Sequence, residues 1–154
     1  MYVCLSNVNS INTMIIMKKI IYPVLLSLII SLAAQAQAEK SVWNGCDRYD
    51  FTFKDRQATV VVPQKAAKGN PWIWRPAFFD AFPSVDKALL EKGFHVVYYD
   101  VTHLYGSPRA VSLGTEFYEN VTNLYGLSDK VTLEGFSRGG LFVFNWAAQN
   151  TEKV

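Results

Sequence analysis

The chain has 154 residues, of which 50% are hydrophobic and 18% are charged, and its formal net charge is +2 at pH 7. This composition is typical of a globular protein and excludes an intrinsically disordered one. The basic excess is small, so the charge does not favour binding to nucleic acid or to an anionic membrane surface.

A secretory signal peptide is predicted over residues 17–38. A basic pair, Lys18 and Lys19, precedes an apolar run at residues 20–34, and small residues suited to cleavage follow it. This order of a charged, an apolar and a small-residue region is typical of a cleaved leader. Since the leader holds two of the 15 basic residues and no acidic one, the remaining chain has 13 of each.

The predicted leader divides the chain into three parts. Residues 1–16 precede Met17, which begins a better signal sequence than Met1 does, and are interpreted as an over-extended start. Residues 39–154 are expected to belong to a single domain, exported to the bacterial periplasm or secreted. The apolar run is short for a membrane span, so we expect no stable membrane anchor.

Cysteine and histidine are too sparse for a disulfide framework or a metal site. Cys46 is the one cysteine after the predicted leader, and no second thiol or imidazole lies at a metal-ligand spacing from it. We therefore expect no metal and no other cofactor, and we interpret Cys46 as a buried or adventitious thiol.

Beyond a polar lead-in at residues 43–48, strands and helices are predicted to alternate. The first elements are a hairpin of strands 50–53 and 59–62, a strand at 72–74 and a helix with Val85, Leu89 and Leu90 on one face. A strand at 94–99 and a helix after Ser107 and Pro108 follow. The last elements are a strand at 131–136, a helix at 141–148 and the start of a strand at 153–154. Continuous apolar strands that alternate with helices predict an α/β fold with a parallel sheet and right-handed crossovers.

The most informative stretch is Gly135-Phe136-Ser137-Arg138-Gly139, a G-x-S-x-G pattern between a predicted strand and a predicted helix. A serine in this context lies on a sharp turn that exposes its Oγ, and a Cβ at either glycine would collide with a neighbouring element. The N–H of Arg138 begins the helix, where unpaired amides favour an oxyanion. The pattern predicts Ser137 as a nucleophile; an ordinary turn in which Ser137 caps the helix is the alternative.

We call the predicted turn at residues 135–139 the elbow. Because it lies on the third βα unit after the hairpin, residues 47–154 resemble the N-terminal half of an α/β-hydrolase. The resemblance implies a three-layer sheet, with an N-terminal hairpin and then parallel βα units, that is incomplete at its C-terminus. The runs 69–79 (GNPWIWRPAFF) and 134–140 (EGFSRGG) look like the secreted bacterial prolyl-oligopeptidase-like and carbohydrate-esterase-like branch. The G-x-S-R-x-G form is also similar to glucuronoyl esterases, in which arginine after serine assists the oxyanion.

The resemblance implies that Ser137 is the nucleophile and that the Arg138 N–H is one oxyanion donor. The second donor in this family comes from the loop after the third strand, here Trp74 and Arg75. Because Pro76 has no N–H, the donor would be the N–H of Trp74 or Arg75, or the Arg75 guanidinium. This departs from the His-Gly-Gly-type loop of the family.

The larger departure concerns the rest of the triad. In this family the acid and the histidine follow the serine, and no histidine follows Ser137 in this sequence. We therefore interpret the chain as a fragment of a serine hydrolase that cleaves an ester or peptide bond, inactive or nearly so as written. A non-catalytic remnant or a periplasmic binding module of the same fold is the alternative.

Several other residues are candidates, and some of them have two interpretations. His103 follows a strand at the edge where α/β sheets bind ligands, so it either contacts a small-molecule or carbohydrate ester or is a surface residue. His95 is expected in the core, and Glu134 in a structural hydrogen bond. Arg138 either holds a substrate carboxylate or pairs with an acid such as Glu134. A set of aromatic residues either stacks on a sugar or packs in the core: Trp72, Trp74, Phe78 and Phe79.

Overall fold

The computed structural model describes residues 38–154, which form one compact unit, Ala38–Val154. The predicted start at residues 1–16 and signal peptide at residues 17–38 lie outside the described residues, apart from Ala38. Within the described part, no helix combines the length and the apolar character that a membrane crossing requires.

A mixed six-stranded sheet forms the centre of the unit, in the spatial order β1-β2-β3-β5-β4-β6. The strands β1, β2, β3 and β5 pair antiparallel in that order, whereas β4 runs parallel to both β5 and β6. The bounds are β1 (Glu39–Trp43), β2 (Cys46–Phe53), β3 (Arg56–Val62), β4 (Trp72–Arg75), β5 (His95–Tyr99) and β6 (Thr132–Leu133).

Three α-helices and two short 3-10 helices connect and flank these strands within residues 38–154. Ser107 caps the second α-helix, since its Oγ accepts a hydrogen bond from the Ala110 N–H at 3.4 Å, and Gly126 ends that helix at φ 61°. Both boundary predictions are confirmed. The bounds are α1 (Ser84–Glu91), α2 (Pro108–Tyr125), α3 (Gly139–Gln149) and the 3-10 helices Thr102–Leu104 and Thr151–Lys153.

Helices cover both faces of the sheet. Trp72 and Trp74 of β4 point into one hydrophobic cluster with Phe117 of α2 and further residues of α3, whereas Ile73 points into a second cluster with Leu90 of α1. Because β4 and β5 are buried on both faces, their sequences are continuously apolar rather than alternating. The predicted fold class, a three-layer α/β arrangement with an N-terminal hairpin and then parallel βα units, is confirmed.

The N-terminal part of the sheet is larger than predicted. Residues 43–48 are not a polar lead-in, because β1 and β2 form a hairpin through Asn44 and Gly45. These two residues have φ values of 49° and 76°, the left-handed pair that a two-residue hairpin turn requires. The following turn is also shorter than predicted, at Lys54 and Asp55, so that β2 and β3 are both longer.

The spacing of Leu141, Phe144, Asn145 and Ala148 predicts a helix with these residues on one face, but this is not the face that α3 buries. Leu141 and Phe144 are exposed, Phe144 by 79%, whereas Phe142 and Trp146 are buried. A Cβ on Gly114 of α2 would lie 2.5 Å from Phe142 Cζ, so this glycine leaves the space in which Phe142 packs. Gly114, which lowers the helix propensity of α2, therefore provides the space for the buried face of α3.

Two further predictions at the C-terminal end differ from the structure. The strand predicted over residues 131–136 is limited to β6, because the chain turns into the elbow directly after it. No strand begins at Lys153 in the described part; this residue ends a 3-10 helix, and its carbonyl accepts a hydrogen bond from the Val131 N–H at 2.8 Å.

Candidate active site

The G-x-S-x-G stretch leaves β6, turns at Ser137 and enters α3. Ser137 is exposed and has a φ of 51°, a left-handed conformation that costs a non-glycine residue about 1–3 kcal/mol. The turn is closed by two backbone hydrogen bonds, from the Gly139 N–H to the Phe136 carbonyl at 2.9 Å and from the Gly140 N–H to the Ser137 carbonyl at 3.0 Å. The elbow therefore holds an exposed serine in a strained backbone conformation.

Both glycines of the pattern pack closely against neighbouring residues, as the sequence predicts. A Cβ on Gly135 would lie 2.9 Å from the Cα of Gly140, and a Cβ on Gly139 would lie 3.2 Å from the Cβ of Ala77. The first contact is with backbone and cannot relax by a side-chain rotation. The second shows that the loop after β4 packs directly against the start of α3.

Several backbone N–H groups at the elbow lack a backbone carbonyl partner within residues 38–154, and two of them lie where the start of α3 meets the loop after β4. These two belong to Arg138, which precedes the first residue of α3, and to Ala77 in the loop after β4. Ala77 is buried, and its nitrogen would be 3.9 Å from a Cβ on Gly139. The Ala77 N–H is suited to receive a hydrogen-bond acceptor from a ligand because a buried N–H without an acceptor is unfavourable. The half-buried Arg138 N–H is suited to the same role because it lies at the start of a helix.

The structure places the other predicted oxyanion donors, Trp74 and Arg75, inside β4 rather than in the loop after it. The Arg75 guanidinium is only 1% exposed. Its Nη2 donates to Glu134 Oε1 at 2.5 Å, and its Nη1 donates to the carbonyls of Phe78 and Ala81 at 3.2 and 2.8 Å. A substrate could reach this group only by breaking the network, so the guanidinium is a poor oxyanion donor. The role of the Trp74 or Arg75 N–H as an oxyanion donor stays a prediction.

The same guanidinium contacts a second acid, Asp86 of α1. Asp86 Oδ2 lies 3.3 Å from Arg75 Nη2, and the residue is 2% exposed. Burial, together with the neighbouring Glu134 carboxyl, raises the pKa of Asp86 to about 7. We call Arg75, Asp86 and Glu134 the floor of the elbow. The expected structural role of Glu134 is confirmed. The predicted face of α1 is wrong in one residue, because Val85, expected beside Leu89 and Leu90, is exposed.

Arg138 lies on the opposite, solvent side of the elbow. Its guanidinium carbon is 5.4 Å from the ring centroid of Phe78 and 5.6 Å from that of Tyr105, and its Nη1 donates to the Tyr105 hydroxyl at 3.3 Å. The predicted alternative that Arg138 pairs with Glu134 is wrong, because Glu134 binds Arg75. No carboxylate among residues 38–154 forms an ion pair with Arg138.

Aromatic side chains surround Arg138 and the elbow. Phe136 packs on Phe78 and Phe82, with ring centroids 5.8 and 5.5 Å apart. Phe78, Phe82 and Tyr105 all have φ values between 50° and 55°. We call these four aromatic residues and Arg138 the rim of the elbow. Sequence reasoning missed Phe82, Tyr105 and Phe136. For Phe82 and Tyr105 the reason is that a left-handed backbone at a bulky residue leaves no signal in the residue type.

His103 is exposed in the 3-10 helix Thr102–Leu104. Tyr105, two residues further along the same loop, contacts Arg138, but no hydrogen bond joins His103 to Ser137 in the described part of the chain. A substrate contact by His103 therefore stays a prediction. Asp100 braces this loop, since its Oδ1 accepts a hydrogen bond from the Thr102 N–H at 3.0 Å.

The remaining candidates belong to the core. His95 is buried with its Nδ1 3.4 Å from the Pro71 carbonyl, and burial lowers its pKa. Trp72 and Trp74 are also buried, so the interpretation of these two residues as a sugar-stacking surface is wrong. Phe79 packs against core aromatic rings, which leaves Phe78 as the one member of that set on the rim.

The described residues contain no group of three or more His, Cys, Asp or Glu side chains that could hold a metal ion. Cys46 is a free, buried thiol in β2, in agreement with one of its two interpretations.

No family model and no curated protein matches this chain. Among solved structures, it is similar to Candida antarctica lipase A in its closed state, with 18% sequence identity and a TM-score of 0.49. The similarity covers 78% of this chain and 39% of the lipase chain, so the chain spans well under two thirds of that structure's length. The fold class stated above rests on the sheet and the helices themselves.

Proposed function

We propose that the protein is a serine hydrolase in which Ser137 attacks the carbonyl carbon of an ester and forms an acyl-enzyme. The observation that carries this proposal is the elbow: an exposed serine at φ 51° between a strand and a helix, with a tight glycine contact at Gly135. Strain of this kind is stored at functional sites, and a strand-to-helix elbow is the known setting of a nucleophilic serine.

The oxyanion of the tetrahedral intermediate would be held by two backbone amides. The Arg138 N–H is the donor expected from the sequence. The Ala77 N–H takes the place of the donors expected from Trp74 or Arg75, because Ala77 is in the loop after β4 and packs on the start of α3. Donors that are already oriented and desolvated stabilise a developing negative charge more strongly than water does.

The reaction also needs a base that accepts the proton of Ser137 Oγ and an acid that orients this base. His95 is buried, and His103 has no hydrogen bond to Ser137 within residues 38–154. The proposal therefore places the triad histidine and the triad acid in a part of the natural protein that follows Val154.

The rim suggests the kind of substrate. Aromatic side chains beside Ser137 favour an apolar or ring-shaped group, which fits a small-molecule or carbohydrate ester. The Arg138 guanidinium, which is held by Tyr105 and Phe78 and not by an acid of the described residues, favours substrates with a negative charge near the scissile bond. We further propose that the protein meets this substrate after export, once the predicted signal peptide is cleaved.

The first test is made on the protein purified from its own cells, with its intact mass measured. A fluorophosphonate probe, which labels activated serines, should modify this protein, and peptide mass spectrometry should find the label on Ser137. We expect Ser137→Ala to abolish labelling and to lower ester hydrolysis by about 10⁴-fold or more. Ser112→Ala, which changes an exposed serine of α2, is the matched control. It should keep both the labelling of Ser137 and the rate of ester hydrolysis.

Ester hydrolysis that survives in Ser137→Ala would rule out this residue as the nucleophile. Binding of an ester without turnover or labelling, in the whole natural protein, would instead favour the second candidate, a binding module that uses the same aromatic rim. An intact mass that ends at Val154 would remove the proposed source of the base and the acid.

A further inference from the structure

Two carboxyl groups share one guanidinium in the floor of the elbow. Arg75 Nη2 contacts both Glu134 Oε1, at 2.5 Å, and Asp86 Oδ2, at 3.3 Å. Arg75 and Asp86 are almost fully buried, and Glu134 is four-fifths buried. Two ionised carboxylates would leave this buried group with a net charge of −1, which is strongly unfavourable in a medium of low polarity.

The other oxygen of Asp86 supports the same conclusion. Asp86 Oδ1 is buried and has no hydrogen-bond partner among the described residues. The Asp86 and Glu134 carboxyl groups are neighbours, because Asp86 Oδ2 and Glu134 Oε1 lie 3.3 and 2.5 Å from the same nitrogen, Arg75 Nη2. If Asp86 is protonated and donates to Glu134, the group becomes neutral and the contact between two acids becomes a hydrogen bond.

We propose that Asp86 and Glu134 share one proton in the folded protein, and that this pair and Arg75 together position the elbow and the loop after β4. The residues act as positioning residues, because no side-chain hydrogen bond or ion pair joins any of them to Ser137 in the described part of the chain. The positioning part of the proposal rests on the proposed function of Ser137, whereas the shared proton does not.

The connections of Arg75 explain why this group would position the site. Its Nη1 binds the carbonyls of Phe78 and Ala81, which belong to the segment after Ala77 that contains left-handed residues. Its Nε and Nη2 bind Glu134, the residue immediately before Gly135 of the elbow. One guanidinium thus connects the segment that carries the Ala77 N–H to the segment that carries Ser137.

The charged groups around Asp86 all belong to this part of the molecule. Glu134 and the more distant Asp80 raise its pKa, Arg75 lowers it, and burial has the largest effect, so that the pKa rises from 3.8 to about 7. Asp80 is itself bound to the Trp43 indole N–H at 3.1 Å. Because the pKa is raised in the folded state, the folded protein keeps a proton that the unfolded chain loses between these two values.

The sign of the pH dependence follows from this difference. From about pH 4 to about pH 7 the unfolded chain binds fewer protons at Asp86 than the folded protein does, so stability falls as the pH rises. As the pH rises through that window, the loss of this proton should increase the equilibrium constant of unfolding by about tenfold per pH unit. Above about pH 7 this group should cause no further change in the constant.

The experiment compares the natural protein with Asp86→Asn by urea unfolding between pH 4 and pH 8. Asparagine can donate to Glu134 but cannot titrate, so the ratio of the two unfolding constants should change by about tenfold per pH unit up to about pH 7. Glu91→Gln, which changes an exposed acid at the end of α1, is the matched control and should keep the slope of the natural protein. An equal slope for Asp86→Asn and the natural protein would overturn the proposal.

A second measurement does not depend on the folding of any variant. The ¹³C chemical shift of the Asp86 carboxyl in the natural protein should titrate near neutral pH, and Glu134→Gln should lower that midpoint because it removes the like charge. A midpoint near pH 4 in the natural protein would contradict the shared proton.

Positioning is tested by the rescue of activity. Asp86→Ala should lower kcat for ester hydrolysis by about tenfold with little change in KM, and Asp86→Asn should restore most of that loss. Equal loss in both variants would overturn the positioning role. A natural protein that hydrolyses no ester would defeat the proposed function, whereas the carboxyl titration would still decide whether the proton is shared.

Discussion

The floor and the rim of the elbow each contain one arginine, and the two arginines have opposite surroundings. Arg75 in the floor is almost fully buried, and its guanidinium contacts two acids and two carbonyls. Arg138 on the rim is partly exposed and is held by two aromatic faces and one hydroxyl. The comparison shows that, of the two arginines near Ser137, only the one that the fold has not already neutralised is available to a ligand.

The energetic consequences of the two arrangements differ as well. A buried ion pair adds little to stability when it is compared with a well-packed apolar pair, but removal of one partner leaves an uncompensated buried charge. An exposed guanidinium over an aromatic ring is worth only about 0.5–1 kcal/mol. Stability should therefore depend strongly on the floor and weakly on the rim.

The largest effect is expected for Arg75→Ala. This change leaves Asp86 and Glu134 buried without their cation and frees the Phe78 and Ala81 carbonyls, so it should lower the free energy of unfolding at pH 7 by about 3–5 kcal/mol. Arg138→Ala should lower it by less than about 1 kcal/mol. Urea denaturation of both variants measures this difference, and equal losses would show that the distinction between floor and rim is wrong.

A smaller effect is expected at the glycines that join the two regions. Gly135→Ala would place a Cβ 2.9 Å from the Gly140 Cα, and we expect a loss of about 1–3 kcal/mol from overpacking. Gly140→Ala is the matched control, because its Cβ would make only an ordinary contact of 3.8 Å with the Gly135 carbonyl. Thermal unfolding of the two variants tests this order, and a greater loss at Gly140 would contradict the packing described here.

The smallest effect concerns the substrate preference of the rim. Arg138→Gln should lower kcat/KM for an ester with a carboxylate near the scissile bond by about tenfold, and for an uncharged ester of similar size by much less. Tyr105→Phe, which removes the hydroxyl that holds Arg138, should act in the same direction but more weakly. If the charged and uncharged esters lose the same factor, the Arg138 side chain has no part in substrate selection.

Local chemistry made much of the fold predictable. The serine cap before Pro108 and the glycine stop at Gly126 are short-range signals, and both helix boundaries were located correctly from them. The elbow was also predictable, because G-x-S-x-G between an apolar strand and a helix restricts the backbone directly. The strand β1 was missed although Asn44 and Gly45 carry a hairpin signal of the same short-range kind.

Predictions failed where a distant residue decides the outcome. Phe144 and Phe142 are equally apolar, and the helical period does not distinguish them; the space beside Gly114 of α2 makes Phe142 the buried one. Glu134 was expected to form a structural hydrogen bond, but its partner, Arg75, lies 59 residues away in the chain. Asp86 looks like an ordinary acid in the first turn of a helix, and nothing local indicates that it is buried.

The sequence by itself determined the α/β class, the position of the elbow and the identity of the candidate nucleophile, because each depends on residue types that are close together in the chain. Only the tertiary structure decided which arginine is neutralised and which is available, because that depends on β4, α1 and the segment after β6 meeting beneath one turn. The surroundings of a charged side chain are set by its neighbours in space. Arg75 and Arg138 therefore differ in role although their side chains are identical.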